Sequence, residues 1–163
     1  MNILFVSLGC DKNLVDTEVM LGLLASRGHQ MVDSEEIADV IVINTCCFIH
    51  DAKEESIQTI LEMAEYKKAG SCKALIVTGC LAQRYKQEII DEIEEVDAVL
   101  GTTSYDKIVE AIDEALAGHT SVEMTDIDAL PLVESKRLVT TGGHFAYLKI
   151  AEGCDKHCTY CII

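Results

Sequence analysis

The sequence predicts an α/β fold, a parallel sheet with helices on both faces. Three observations predict it. Short apolar runs alternate with longer amphipathic stretches along most of the chain. The amphipathic stretches end at glycines. The apolar runs are nearly continuous, which suits strands buried on both faces rather than half-exposed ones.

The elements follow in order. Asn2–Ser7 reads as the first strand, with further strands at Gln30–Asp33, Asp39–Asn44, Lys73–Thr78 and Val96–Leu100. Leu14–Arg27 reads as a helix stopped by Gly28. His50–Lys68 has Ile57, Ile60, Leu61 and Ala64 at helical spacing and stops before Gly70. Leu81–Glu94 reads as two short helices. Tyr105–Ala117 follows Ser104, a candidate N-cap, and ends at Gly118. Right-handed crossovers between such strands leave a flavodoxin-like or Rossmann-like arrangement.

This first domain is expected over residues 1–117. Residues 118–143 hold the single proline, Pro131, with Gly142 and Gly143, and read as a linker. Phe145–Ile150 (FAYLKI) reads as a strand opening a second domain at residues 144–163, truncated almost at once.

Composition narrows the function. The chain has 163 residues, about half of them hydrophobic, enough for a real core. Thirteen basic residues face 28 acidic ones, a formal charge of −15. Nucleic-acid surfaces are normally basic, so direct nucleic-acid binding by this chain is not expected. An acidic surface suits a basic partner, or is simply a well-solvated face. No apolar run reaches about 18 residues, so no membrane helix is expected. The N-terminus lacks the basic segment of a signal peptide. A cytoplasmic location follows, and with it ligation rather than disulfides as the account of eight cysteines.

Three cysteines follow predicted strands. Cys10 follows the first (FVSLGC), Cys46 the third (VIVINTC) and Cys80 the fourth (ALIVTGC). In an open parallel sheet such strand ends share one edge, where ligands gather. Three thiolates there give a candidate cluster site with one iron left free. Buried structural cysteines and zinc are the other readings. Cys47 can replace Cys46. Val77 and Ile43 precede Cys80 and Cys46 by three positions, but Val6 precedes Cys10 by four, which matches Cys47. Cys72 precedes a strand and falls at the opposite edge.

Cys154, Cys158 and Cys161 form a C-x3-C-x2-C run in GCDKHCTYC. Three thiolates on one short loop hold three irons of a four-iron cluster and leave the fourth open. The open iron suits the amino and carboxylate groups of S-adenosylmethionine. One electron then cleaves the sulfonium to a 5′-deoxyadenosyl radical. Tyr160 offers a ring against which adenine can pack, or packs within its own loop. Zinc with His157 as fourth ligand is the rival, but all its ligands would crowd into one short loop.

These motifs carry a resemblance. SLGCDKNLVDTE, INTCCFI, VTGCLAQRY and AYLKIAEGCDKHCTYC together resemble the methylthiotransferase family of radical S-adenosylmethionine enzymes, over essentially the whole chain. The resemblance implies an auxiliary 4Fe-4S cluster on Cys10, Cys46 and Cys80. It implies a radical 4Fe-4S cluster on Cys154, Cys158 and Cys161 with S-adenosylmethionine. One branch of the family modifies a tRNA adenosine and has a first motif more like YGCQMN. The other modifies the β-carbon of an aspartate in a small-subunit ribosomal protein, and its first motif is similar to Ser7–Asn13 here. The implied mechanism has two stages: sulfur at the auxiliary cluster is methylated, and a carbon radical on the substrate then takes the methylthio group. An electron donor such as a flavodoxin or ferredoxin is implied. The family continues past the last cysteine into most of a β/α barrel and a further small domain. This chain is therefore expected to be an N-terminal fragment, inactive alone. A flavodoxin-like binding module with incidental cysteines is the reading from a different class.

Overall fold

The computed structural model describes residues 1–129 and 136–161. Six strands form one sheet: β1 (Asn2–Ser7), β2 (Gln30–Val32), β3 (Val40–Thr45), β4 (Ala74–Gly79), β5 (Ala98–Leu100) and β6 (Ser121–Glu123). Four helices connect them: α1 (Asp11–Ser26), α2 (His50–Lys68), α3 (Cys80–Glu92) and α4 (Ile108–Leu116). The order is β2-β1-β3-β4-β5-β6 and every pairing is parallel. The expected flavodoxin/Rossmann-like sheet is what forms.

Every residue of β3 and β4 is buried, as VIVINT and ALIVTG require for central strands. Alternation then sorts their side chains into two layers. Ile41, Ile43, Leu75 and Val77 pack with Ile60 and Met63 of α2 and Leu81 and Ile89 of α3. Val40, Val42, Ala74 and Ile76 pack with Met20 and Leu24 of α1 and Ile108 and Ile112 of α4. Among the described residues no helix is long and apolar enough to cross a membrane.

Three expectations are corrected. The stretch read as a linker contains β6, which extends the sheet beyond β5; three residues are too few to show a period. Pro131, the other linker signal, lies outside the described residues. Phe145–Ile150 forms no strand. Its apolar residues are suited to one, but a strand needs a neighbour to fill its backbone hydrogen bonds, and Leu148 and Ile150 stand 81% and 88% exposed. Ser104 makes no side-chain cap. Its hydroxyl instead accepts from the Thr125 N–H (2.7 Å) and ties down the chain after β6. A 3-10 turn at Tyr105–Lys107 precedes α4. The two helices expected over Leu81–Glu94 correspond to α3, which breaks at Lys86 (φ 35°).

The chain after residue 135 docks on α1. Glu18 is fully buried and pairs with Arg137. Its carboxylate also accepts from the Thr140 N–H (2.6 Å) and hydroxyl (2.9 Å), and its carbonyl from the Leu138 N–H (2.9 Å). Further along, Lys149 pairs with Asp16 and Glu152, and Glu152 with Lys12 (2.6 Å). Burial pushes the Asp16 carboxyl up to about 6, against the pull of Lys149.

Candidate functional site

The strand register brings three cysteines to one edge. Ser7 pairs with Asn44, Asn44 with Thr78, and Thr45 with Gly79. One step further, Cys46 stands beside Cys80, with Cys10 two residues beyond Leu8, whose N–H still donates to Asn44 O (2.9 Å). The chain turns from β1 to β2 on one side of β1 and to β3 on the other. This edge is therefore the topological switch point, where open α/β sheets bind their ligands.

Each cysteine is placed by local backbone. Gly9 (φ +94°) turns the chain so that Cys10 becomes the N-cap residue of α1. Gly79 (φ +93°, ψ −158°) does the same before Cys80, the first residue of α3. L residues with a Cβ resist both conformations. The Cys10 thiol makes no cap hydrogen bond and stays free for a ligand. Cys46 is clamped from α2. Its N–H donates to Ser56 Oγ (3.0 Å), and the Ser56 hydroxyl donates back to Cys46 O (2.8 Å).

The loops are pressed together. A methyl on Gly9 would lie 2.7 Å from Cys46 Cβ and 3.1 Å from its Sγ. Cys80 Sγ lies 3.7 Å from Asn13 Oδ1, and Asn13 Nδ2 reaches Thr45 O, beside Cys46 (3.0 Å). Burial, and then Cys46, Cys47 and Cys10 in turn, push the Cys80 thiol up to about 11, while Lys12 pulls it down. Burial also raises Cys47, opposed by Arg84 and Lys53.

Cys46 and Cys47 divide. Cys46 faces Gly9 and the Cys10 loop, whereas Cys47 packs into the apolar layer under α2 and α3. Cys72 sits at the opposite edge, where its thiol donates to Ala74 O (3.1 Å).

The chemistry of this edge suits an anionic iron–sulfur group. Three cysteines, each a soft sulfur donor, lie at this edge, and α1 and α3 both begin there with their positive dipole ends. A thiol held protonated by burial and by other thiols gives up its proton once a cationic metal replaces those neighbours as the dominant charge. A surface hollow along Asp51, Glu54, Glu55, Ile57 and Gln58 of α2 belongs to neither cysteine group.

The second group is less enclosed. Cys154 and Cys158 are exposed and Cys161 is half-buried. A turn joins the last two, with Cys161 N–H donating to Cys158 O (3.0 Å). Tyr160 is 87% exposed. The pairs of Lys149 and Glu152 with α1 hold the approach to this loop against the helix that Cys10 caps. Sequence reasoning did not single out Asn13 or Ser56. Both lie on helices with ordinary polar neighbours, and only the S-x-G-C-x-x-N spacing hinted at the first.

Comparisons with known proteins identify a family and relatives for the chain. The family described as uncharacterized protein family UPF0004 matches residues 2–101. A protein of Lachnoclostridium phytofermentans named ribosomal protein uS12 methylthiotransferase RimO is 68% identical over all of this chain, which spans 37% of that relative. Proteins of the same name from Clostridioides difficile and Desulforamulus reducens are 51% and 53% identical. They match 96% and 97% of this chain, which covers 35% and 36% of theirs. The chain thus spans little more than a third of the curated relatives it matches. With residues 2–101 matched and the three strand-end cysteines inside that match, the chain belongs to the UPF0004 family.

Proposed function

We propose that the protein acts as a methylthiotransferase on the β-carbon of an aspartate in ribosomal protein uS12. The observation that supports this reading is the strand register, which ends the strands before Cys10, Cys46 and Cys80 at one edge of the sheet. The names of the relatives supply the substrate. On this reading residues 1–117 hold an auxiliary 4Fe-4S cluster through those three thiolates. The chain after β6 leads to a second domain that starts at 144. Cys154, Cys158 and Cys161 hold a second 4Fe-4S cluster, and Tyr160 packs against the adenine of S-adenosylmethionine.

When bound, these groups supply the one-electron chemistry needed to open an unactivated C–H bond. The chain's own residues do the rest. Gly9 and Gly79 let two cysteines sit at helix N-termini, whose positive dipole ends suit an anionic group. Ser56 fixes the backbone of the third. Cys80 releases its proton on loading. Lys149, Asp16, Glu152 and Lys12 hold the second loop to α1. The reading places the protein in the cytoplasm, where thiols stay reduced, with a flavodoxin or ferredoxin as electron donor.

The test uses full-length protein, reconstituted anaerobically and given uS12, S-adenosylmethionine and reductant. Mass spectrometry should find the modified aspartate, with release of deoxyadenosine. A modified tRNA adenosine instead would transfer the activity to the other branch. A yellow flavin spectrum, or no chromophore at all, would overturn the iron–sulfur reading.

A further inference from the structure

We propose that Asn13 is a positioning residue for the Cys10–Cys46–Cys80 group, one buried amide that holds all three cysteine-bearing loops in register. The inference rests on the ligand reading of those cysteines.

Asn13 lies in the first turn of α1 and is 3% exposed. Its Nδ2 donates to Leu8 O (3.1 Å), two residues before Cys10. The same nitrogen donates to Thr45 O (3.0 Å), one residue before Cys46. Its Oδ1 accepts from the Cys80 thiol (3.7 Å). A primary amide has two N–H donors and one carbonyl acceptor, and in the metal-free chain each is spent on a different loop; the two N–H bonds to the Cys10 and Cys46 loops need no thiol proton and persist when Cys80 becomes a thiolate. Cys80 lies 67 positions from Asn13 along the chain.

The anchor is itself anchored. Asn44 Nδ2 donates to Asn13 O (2.8 Å) and to Thr17 Oγ1 (2.9 Å), and Thr17 shares a hydrogen bond with Ser7 Oγ (2.9 Å). Asn44 and Thr17 are 1% and 3% exposed. A buried polar chain thus runs under the sulfur edge from β1 through α1 to β3. Buried amides cost free energy unless satisfied, and asparagine is a poor helix former. A leucine would pack there more cheaply. What leucine cannot do is set the spacing of three sulfurs.

Aspartate is the sharpest probe. It keeps the shape of Asn13 but loses both donors, and turns a carboxylate toward two carbonyl oxygens. Serine keeps one donor and one acceptor on a shorter stem. Both variants are made in the 163-residue chain carrying Cys154→Ala, Cys158→Ala and Cys161→Ala, so that any cluster reports the first site alone. Ile60→Val, a fully buried change away from the amide, is the stability control.

After anaerobic reconstitution with iron and sulfide, the unaltered Asn13 background should hold one cluster. Asn13→Asp should lose iron to a chelator about 10- to 100-fold faster, as loss of a partner behind the metal ligands does elsewhere. Its electron paramagnetic resonance signal after reduction should change shape. Asn13→Ser should fall between, and Ile60→Val should match the background. Equal chelator-loss rates and an unchanged signal in Asn13→Asp would overturn the proposal. So would failure of both Asn13 variants to fold, which would make the residue structural rather than positioning. A background that binds no cluster would defeat the ligand reading itself, and is distinguished by being seen before any Asn13 change is made.

Discussion

Gly79→Ala is the change whose cost the structure defines best. Gly79 has φ +93° and ψ −158°, a region that only glycine occupies freely. Forcing alanine there costs about 1–3 kcal/mol in backbone strain. The new methyl would also lie 2.5 Å from Thr45 O and 2.9 Å from Thr45 N, and it would overlap Asn44 Oδ1. Two of those atoms are backbone in the central strand and cannot rotate away. Overpacking of this kind adds about 1–3 kcal/mol. The sum is roughly 2–6 kcal/mol, a large share of the 5–15 kcal/mol that usually separates folded from unfolded chains. Gly28→Ala isolates the two effects. Its φ is +80°, but nothing lies within 4 Å of the added methyl, so only the conformational cost of about 1–2 kcal/mol remains. Urea unfolding of the metal-free chain under reducing conditions reads both. With a slope of about 2 kcal/mol per molar, a 4 kcal/mol loss moves the midpoint by about 2 M. Equal shifts for the two variants would refute the close approach of Gly79 to β3, and with it the tight juxtaposition of the Cys46 and Cys80 loops.

Two other outcomes follow from named contacts. Ser56→Ala leaves the buried N–H and carbonyl of Cys46 without their partner, so it should cost about 1–3 kcal/mol in the same urea assay and slow iron uptake; wild-type stability would refute the clamp. Glu18 is buried, which raises its pKa, but the Thr140 N–H, Arg137 and the Thr140 hydroxyl outweigh this and hold it below the ordinary 4.5. A depressed carboxyl contributes stability that is present above 4.5 and lost as pH falls through its folded value. Residues 136–140 should therefore stay protected at pH 7 and undock in acid below pH 4.5, while Glu18→Gln should loosen them already at pH 7; pulsed hydrogen exchange on these amides is the check, and protection independent of pH would refute the tether.

Much of this was legible in the chain. VIVI and ALIV are apolar throughout, and only a doubly covered central strand asks for that. Gly before Cys10 and Cys80 marks two sharp turns, and strand ends in a parallel sheet must share an edge. The rest was hidden for physical reasons. SVE at β6 is too short to carry a period and pairs only because β5 leaves an edge open. FAYLKI has strand composition, yet composition cannot supply a neighbouring strand. Asn13 and Ser56 carry no periodic signal; their role appears only when loops distant in sequence meet around one amide and one hydroxyl. The different surroundings of Cys46 and Cys47 needed the fold as well, since adjacent residues leaving a strand face opposite ways.

The most direct test is iron and sulfide analysis of a triple and a single variant of this chain after the same anaerobic reconstitution. Cys10→Ala/Cys46→Ala/Cys80→Ala should lose about four irons per chain relative to the unaltered protein, and Cys47→Ala should lose none. Unchanged iron in the first variant, or a loss tied to Cys47 alone, would contradict a cluster held at the switch point of the sheet.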